Sequence, residues 1–148
     1  MRRGADVRGD RRFAVRIAAS DAALATCVYP AASLWARFRG LMGRPGLTPG
    51  EGLWLPSDVS IHMLFMRFPI DAVFLARSDA GDADAWRVVA IRERLRPWTG
   101  VVWYVRGARG CLELEAGAAA RVRLRAGDVV RFEPLPADGA LAEAPGAG

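Results

Sequence analysis

Apolar and polar residues alternate along most of the chain, and this alternation predicts short β-strands. A period of two places successive side chains on opposite faces of a sheet. Alternation is clear in FAVRIA (13–18) and WRVVAIRERLRP (86–97). The other segments predicted as strands are LATCVY (24–29), GLWLP (52–56), IHMLFMRF (61–68), IDAVFLAR (70–77), CLELEAG (111–117) and VVRFEP (129–134). The pattern therefore predicts about seven or eight strands.

Two of these segments, 61–68 and 70–77, are apolar on both faces, which indicates strands at the centre of a closed or covered sheet. Pro69 stands between them, where the start of a strand or a bulge tolerates proline. The apolar stripe over 34–42 predicts one amphipathic helix, and the stretch 117–128 a short helix or turn. The predicted fold class is α+β: a small, mostly antiparallel β-barrel or curled mixed sheet with one or two packed helices.

Length and composition indicate a single domain. The chain has 148 residues, of which 52% are hydrophobic and 25% charged, a balance typical of a globular protein. We expect a disordered basic leader over 1–12, the domain over 13–134, and a disordered Pro/Gly/Ala-rich tail over 135–148. No apolar run reaches the roughly 20 residues that span a bilayer. No export signal is recognisable, so the sequence as written predicts a soluble, cytoplasmic protein.

The net charge of +5 changes this picture little. All 21 basic residues are arginines, and they are scattered among apolar positions instead of being concentrated along one face. Nucleic-acid binding is therefore not favoured. The two cysteines, Cys27 and Cys111, have no CxxC spacing; they are either two buried thiols, which is the default, or one disulfide.

Asp71 is the first candidate for chemistry, because it lies in an apolar strand on the same face as Val73 and Leu75. A buried carboxylate needs an arginine, backbone N–H groups or an opening to water. Arg67 is the nearest arginine in sequence. Asp71 is then either a structural tie at the Pro69 turn, which is the favoured interpretation, or part of a pocket for a polar ligand.

His62, the only histidine, offers a second candidate. It cannot supply a zinc site of two or three histidines, and methionines such as Met66 are more often core residues than copper ligands. No metal or cofactor is therefore predicted. A nucleophilic triad would combine Cys111 or Ser60 with His62 and Asp71, but no local signature accompanies them.

Two further features bear on a site. Glu113 would form a carboxylate pair with Asp71 if strand 111–115 neighbours strand 70–77, although a surface position beside Gly117 is favoured. The stretch RPWTGVVWYVRG (96–107) carries Trp98, Trp103 and Tyr104 beside arginines. Such a loop either rims a binding site or folds over one end of the barrel and closes the core.

The order of several motifs resembles domain-of-unknown-function family 192, which is found in bacteria and archaea. The motifs are RGLMGR (39–44), IHMLFMRFPIDAVFL (61–75), RPW (96–98), CLELEAG (111–117) and AGD (126–128). The resemblance covers about 13–134 and implies a compact mixed β-barrel with a packed helix, but no reaction. Two features depart from the family: Met63 stands where members usually have threonine, and the export signal that relatives often carry is missing.

The favoured function is a non-enzymatic binding or accessory module. One barrel mouth, lined by His62, Arg67, Asp71 and Trp98, with Glu113 as a further candidate, would hold a small polar ligand or a partner's peptide. The first alternative is a small hydrolase-like enzyme that uses His62 and Asp71, with Cys111 as a possible nucleophile. The second alternative is a purely structural motif.

Overall fold

The computed structural model describes residues 11–30, 46–57, 59–63, 66–79 and 81–136. The elements in these ranges are β1 (Phe13–Ile17), β2 (Ala23–Pro30), β3 (Glu51–Pro56), β4 (Ile61–His62), β5 (Ile70–Arg77), β6 (Ala85–Leu95), β7 (Val101–Val102), β8 (Gly110–Glu115), the helix α1 (Ala118–Arg121) and β9 (Val129–Pro134). The predicted helix over 34–42 and nearly all of the predicted leader and tail lie outside the described residues.

Seven strands form a closed barrel in the order β1-β2-β3-β8-β5-β6-β9, and β9 pairs with β1 to complete it. All neighbouring pairs are antiparallel except β2 and β3, which run parallel. The prediction of a small, mostly antiparallel barrel is thus confirmed. The described part of the chain is mostly β-structure and contains a single short helix, α1.

Alternating side chains from the barrel strands fill the interior, as the period-two pattern predicts. The largest are Trp54, Trp86 and Phe132, whose rings meet with centroids 4.9 Å apart for the two tryptophans and 5.2 Å apart for Trp54 and Phe132. The helix α1 closes one end, because Ala118 and Ala119 belong to the same buried cluster. Burying aromatic rings of this size supplies much of the apolar area that stabilises a small barrel.

A second apolar cluster covers the outside of β5 and β8, and we call it the outer cluster. It contains Leu55, Ile61, Met63, Met66, Phe68, Ile70, Ala72, Phe74, Val102, Val105, Ala108 and Cys111. The segments 59–68 and 101–108 supply its covering layer. This layer explains why β5 is apolar on both faces, since one face lines the barrel and the other lies under the cover. The predicted central, covered position of segment 70–77 is confirmed.

The predicted strand over 61–68 is wrong at Met63 and over 66–68; residues 64 and 65 lie outside the described residues. Among the described residues of this segment, Ile61 and His62 pair with Val102 and Val101 of β7, a strand that the pattern did not predict. The backbone of Met63 then turns to loop partners: its N–H donates to the Gly100 carbonyl at 2.8 Å, and its carbonyl accepts from Trp98 at 2.7 Å and from Met66 at 3.2 Å. The bond to Gly100 keeps the register of the ladder, but the Gly100 N–H donates to the Arg96 carbonyl at 2.9 Å and not to Met63. The ladder therefore ends because the Met63 carbonyl is bonded to Trp98 and Met66.

The short turn over 117–128 forms as predicted. After α1, the chain reverses at Gly127, which has a φ of +96°, a conformation that glycine adopts without steric cost. The Asp128 side chain accepts a hydrogen bond from the Arg125 N–H at 2.9 Å and fixes this turn. Across the described ranges, no helix is both long and apolar enough to cross a membrane.

Candidate functional site

Asp71 lies inside the barrel at the end that α1 closes. It is the second residue of β5, and its partner in register is Leu114 of β8. It shares the inward face with Val73 and Leu75, as predicted, because both belong to the interior cluster. The side chain is fully buried. An ionised carboxylate in this position costs several kcal/mol unless polar groups surround it.

Three backbone N–H groups donate hydrogen bonds to the Asp71 carboxylate. The amide of Arg94 donates to Oδ1 at 2.9 Å, and the amides of Gly117 and Ala119 donate to Oδ2 at 3.1 and 3.0 Å. Gly117 has a φ of +95° and Arg94 a φ of +52°, so local backbone geometry aims these amides at the side chain. The carboxylate therefore caps the first turn of α1 from another strand and ties β5, β6 and α1 together.

Arg67 is not the partner that its place in the sequence suggested. It is exposed to solvent, and no ion pair between the described residues joins it to Asp71. Of the three expected forms of compensation, the structure uses backbone N–H groups. Asp71 is thus a structural tie in this fold, although it ties the end of the barrel and not the Pro69 turn.

Glu113 is fully buried, so the surface position predicted beside Gly117 is wrong. Its strand β8 does neighbour β5, and Glu113 is in register with Ala72 on one side and Leu53 on the other. Because Ala72 faces outward and Asp71 inward, the two carboxylates lie on opposite faces of the sheet and do not form an acid/base pair. The pattern missed this burial because the cover over β8 comes from distant parts of the chain.

The residues proposed for a hydrolase triad are also divided between the two faces. Cys111 belongs to the outer cluster and pairs with Phe74, whereas Asp71 points into the barrel. The backbone of His62 lies in β4, on the outer side, and its side chain lies outside the described residues. A carboxylate inside the barrel cannot orient a base that serves a thiol outside it, since a triad requires hydrogen-bond contact.

The two cysteines are not joined in a disulfide, as the default interpretation predicts; Cys111 is buried and Cys27 half-buried. Cys27 has a polar neighbour two residues along β2. A hydrogen bond from the Tyr29 hydroxyl to Cys27 raises the pKa of Tyr29 above its ordinary value of 10.0, and burial raises it further. The guanidinium of Arg12, 5.2 Å from the centre of the Tyr29 ring, acts in the opposite direction on this pKa. Within the described ranges, no group of three or more His, Cys, Asp or Glu side chains could hold a metal ion.

The stretch 96–107, which we call the aromatic loop, holds large side chains in solvent. Trp103 is 85% exposed, Tyr104 67% and Trp98 53%. Between and after them, Val102, Val105 and Ala108 are buried in the outer cluster. Every third residue from 102 to 108 therefore points inward, and the pairs between them point outward. The loop closes the outer cluster and presents aromatic rings at the same time.

Backbone hydrogen bonds hold the aromatic loop against segment 59–63. The Val105 N–H donates to the Val59 carbonyl at 2.8 Å, and Met63 bonds to both Trp98 and Gly100. Gly100 lies close to its neighbours: a Cβ at this position would be 2.8 Å from both the Arg96 carbonyl oxygen and Met63 Cγ. Hydrogen bonds thus hold the backbone at Trp98 and just after Tyr104.

Comparison with known proteins shows which family the chain belongs to. The model of the DUF192 family, described as Uncharacterized ACR, matches residues 14–132, and the chain belongs to that family. A UPF0127 protein from the archaeon Thermococcus sibiricus (strain DSM 12597 / MM 739) is 35% identical over 103 residues, which are 66% of this chain and 60% of that protein. The match therefore spans less than two thirds of that relative's length. The family is uncharacterised and assigns no activity.

Two crystal structures share the fold. A protein from Sinorhizobium meliloti 1021, provisionally described as a transcription regulator, superposes with a TM-score of 0.64 at 25% identity over 84% of this chain and 92% of its own. A protein of unknown function from Novosphingobium aromaticivorans DSM 12444 gives a TM-score of 0.61 at 22% identity over 81% and 83% of the two chains. The second likeness shows the fold alone.

Proposed function

We propose that this protein is a non-enzymatic binding module that recognises a partner through the aromatic loop. The observation that carries the proposal is the exposure of Trp98, Trp103 and Tyr104, each more than half in solvent, on a backbone fixed by hydrogen bonds. Tryptophan and tyrosine dominate the binding energy of protein interfaces. Clustered exposed aromatic side chains are unusual in a protein without a partner.

The placement of the sequence candidates supports this function over a hydrolase. Asp71 is bonded to three backbone amides, and Cys111 lies on the other face of the sheet, so these two candidates do not meet at one site. Of the residues first considered, Trp98 remains in the proposed surface. Arg67 is exposed and follows the buried Met66, so it stays a candidate binding residue at the edge of the proposed surface.

The shape of the loop favours a macromolecular partner over a small polar ligand. Small-molecule sites are concave and enclose most of the ligand surface. Trp103 and Tyr104 instead project from the surface, with 85% and 67% of their area accessible. A projecting ring gains contact area when a groove or a peptide folds around it.

The test is a selection of random 12-residue peptides displayed on phage against the immobilised full chain. Selected peptides are synthesised, and their Kd is measured by fluorescence polarisation against wild type, against the double variant Trp103→Ala/Tyr104→Ala, and against Tyr29→Ala. Tyr29 is the matched control, because it is a partly exposed tyrosine on β2, outside the aromatic loop. Loss of two hot-spot aromatics should weaken binding at least about tenfold.

Two outcomes contradict the proposed function: a selection that yields no binders, or peptides that bind all three proteins equally. Circular dichroism and thermal unfolding confirm that the variants are folded. Both rings are largely exposed, so we expect the double variant to unfold within about 0.5 kcal/mol of wild type. A fold that stays intact while binding is lost separates recognition from packing.

A further inference from the structure

The surroundings of the aromatic loop are positively charged. Residues 94–109 contain Arg94, Arg96, Arg106 and Arg109 and no aspartate or glutamate, hence a charge of +4. All four arginines are exposed. The whole chain has a net charge of +5, so this one segment accounts for most of the excess. Positive charge is therefore denser in the stretch of sequence that carries the exposed rings than the scattered placement of arginines over the whole chain predicts.

Elsewhere, several arginines are neutralised by carboxylates. Arg121 bonds Glu115 at 2.7 Å, Arg16 lies 3.3 Å from Glu133, and Arg131 lies 3.4 Å from Asp82. Among the described residues, no ion pair engages the four arginines of segment 94–109. Their charge is thus available to a partner.

The arginines lie on both sides of the exposed rings along the chain: Arg94 and Arg96 precede Trp98, and Arg106 follows Tyr104 by two residues. A partner that contacts the rings would come within reach of guanidinium groups at either side. Arginine pairs with carboxylates through two parallel hydrogen bonds, and the same group stacks on aromatic rings. The surface is complementary to a ligand that combines apolar side chains with carboxylates.

We propose that the partner is an acidic segment of another protein chain, bound with its apolar side chains on the aromatic loop and its carboxylates on Arg96 and Arg106. This inference rests on the proposed function and names the class of partner. A nucleic acid fits less well, because its affinity grows with the number of phosphates that basic side chains neutralise, and the segment supplies four arginines. Outside segment 94–109 the chain has little net charge to extend a phosphate path.

The peptides selected on wild type provide the first test. They should be richer in aspartate and glutamate than the starting library. Their Kd should rise about three- to tenfold in Arg96→Gln/Arg106→Gln, since each lost ion pair at a partly exposed site has a modest effect. Arg87→Gln is the matched control: it is exposed on the same strand, β6, as Arg94, but at the opposite end. Higher salt should weaken wild-type binding and leave the double arginine variant nearly unaffected.

The failures of the two proposals are distinguishable. Neutral or basic peptides that still lose affinity in Trp103→Ala/Tyr104→Ala would overturn the acidic partner and leave the binding module standing. Binding that depends on neither pair of residues would overturn both.

Two competing occupants are tested with the same variants. A fluorescent 12-nucleotide poly-dT that binds more tightly than the selected peptides, and loses affinity in Arg96→Gln/Arg106→Gln, would assign the surface to nucleic acid. Light scattering over a concentration series tests a second copy of this chain. A wild-type dimer that dissociates in Trp103→Ala/Tyr104→Ala would assign the surface to self-association. Either result overturns the acidic segment.

Discussion

The buried carboxylate of Asp71, near the start of β5, and the aromatic loop outside the barrel differ in how completely other residues of the chain contact them. Asp71 accepts three backbone hydrogen bonds at 2.9–3.1 Å inside the protein. Trp103, in contrast, keeps 85% of its surface in water, although strand pairing of Val102 and a backbone hydrogen bond of Val105 hold the chain on either side of it. Backbone amides satisfy the carboxylate inside the protein, whereas the described residues leave most of the Trp103 ring uncovered.

This difference shows which unusual residues indicate function. A polar side chain in an apolar strand is easily recognised in a sequence. When it is buried, however, it needs hydrogen-bond partners, and the fold itself supplies them. An aromatic side chain in a loop attracts less notice. It indicates binding only when the structure shows it exposed on a preorganised backbone.

The largest expected effect comes from removing the compensated carboxylate. Asp71→Ala leaves the amides of Arg94, Gly117 and Ala119 without their acceptor and should lower the free energy of unfolding by about 3–5 kcal/mol. Asp71→Asn should lower it by about 1–3 kcal/mol, because its carbonyl oxygen can keep the two bonds from Gly117 and Ala119 while its NH₂ group faces Arg94. Urea unfolding followed by circular dichroism measures both.

Asp128 provides the matched control for Asp71, since its carboxylate also accepts a backbone N–H, at 2.9 Å from Arg125, but in an exposed turn. Water can replace that bond, so Asp128→Ala should cost only about 0.5–1 kcal/mol. Equal losses for Asp71→Ala and Asp128→Ala would show that burial of the first carboxylate has no energetic weight.

A smaller effect is expected where the aromatic loop meets the outer cluster. In Gly100→Ala the new methyl group would lie 2.8 Å from the Arg96 carbonyl oxygen, a backbone atom that cannot move alone. The loop should shift, which destabilises the protein by about 1–3 kcal/mol and weakens peptide binding even though all three rings remain. Gly46→Ala is the control, because a Cβ at Gly46 would have no atom within 4 Å. Unchanged peptide affinity in Gly100→Ala would show that the position of the loop does not matter.

The strands could be predicted from the sequence because their signal is local. The pattern of 70–77 placed Asp71 on the face of Val73 and Leu75, and the structure agrees. Period-two alternation is a property of neighbouring residues, so it survives without knowledge of the rest of the fold. The same locality explains the error at Met63, whose carbonyl accepts from Trp98 and Met66 and thereby ends the strand after two residues.

The partners of the candidate residues could not be predicted, because they are distant in sequence. The donors to Asp71 are 23, 46 and 48 residues away, and all are backbone amides, which every residue type except proline supplies. Arg67 was the expected partner only because it is near. For the aromatic loop one signal was present: small apolar residues stand at 102, 105 and 108, separated by the pairs Trp103–Tyr104 and Arg106–Gly107. Neither a strand nor a helix template detects this period of three.

The smallest expected effect concerns Tyr29, an aromatic side chain outside the loop whose hydroxyl the chain does satisfy. Cys27→Ala removes the hydrogen bond that contributes most to its raised pKa, so the pKa should fall toward the ordinary value. The only other tyrosine is Tyr104. In a Tyr104→Phe background, the near-ultraviolet absorbance of tyrosinate therefore reports Tyr29 alone. Arg12→Gln should shift the pKa upward, because Arg12 lowers it.

The sign of the matching stability effect follows from linkage. A pKa that is raised in the folded state means that folding favours the protonated phenol. Its stabilising contribution is complete below the ordinary value of 10.0 and disappears as the pH rises through the folded pKa. Above pH 10.0 the free energy of unfolding should therefore fall more steeply with pH for wild type than for Cys27→Ala. Equal slopes of unfolding free energy against pH in wild type and Cys27→Ala, or a Tyr29 pKa that rises in Cys27→Ala, would show that Cys27 does not bond the Tyr29 hydroxyl. Tyr29 would then lack a partner within the chain, and it would no longer contrast with the exposed rings of the aromatic loop.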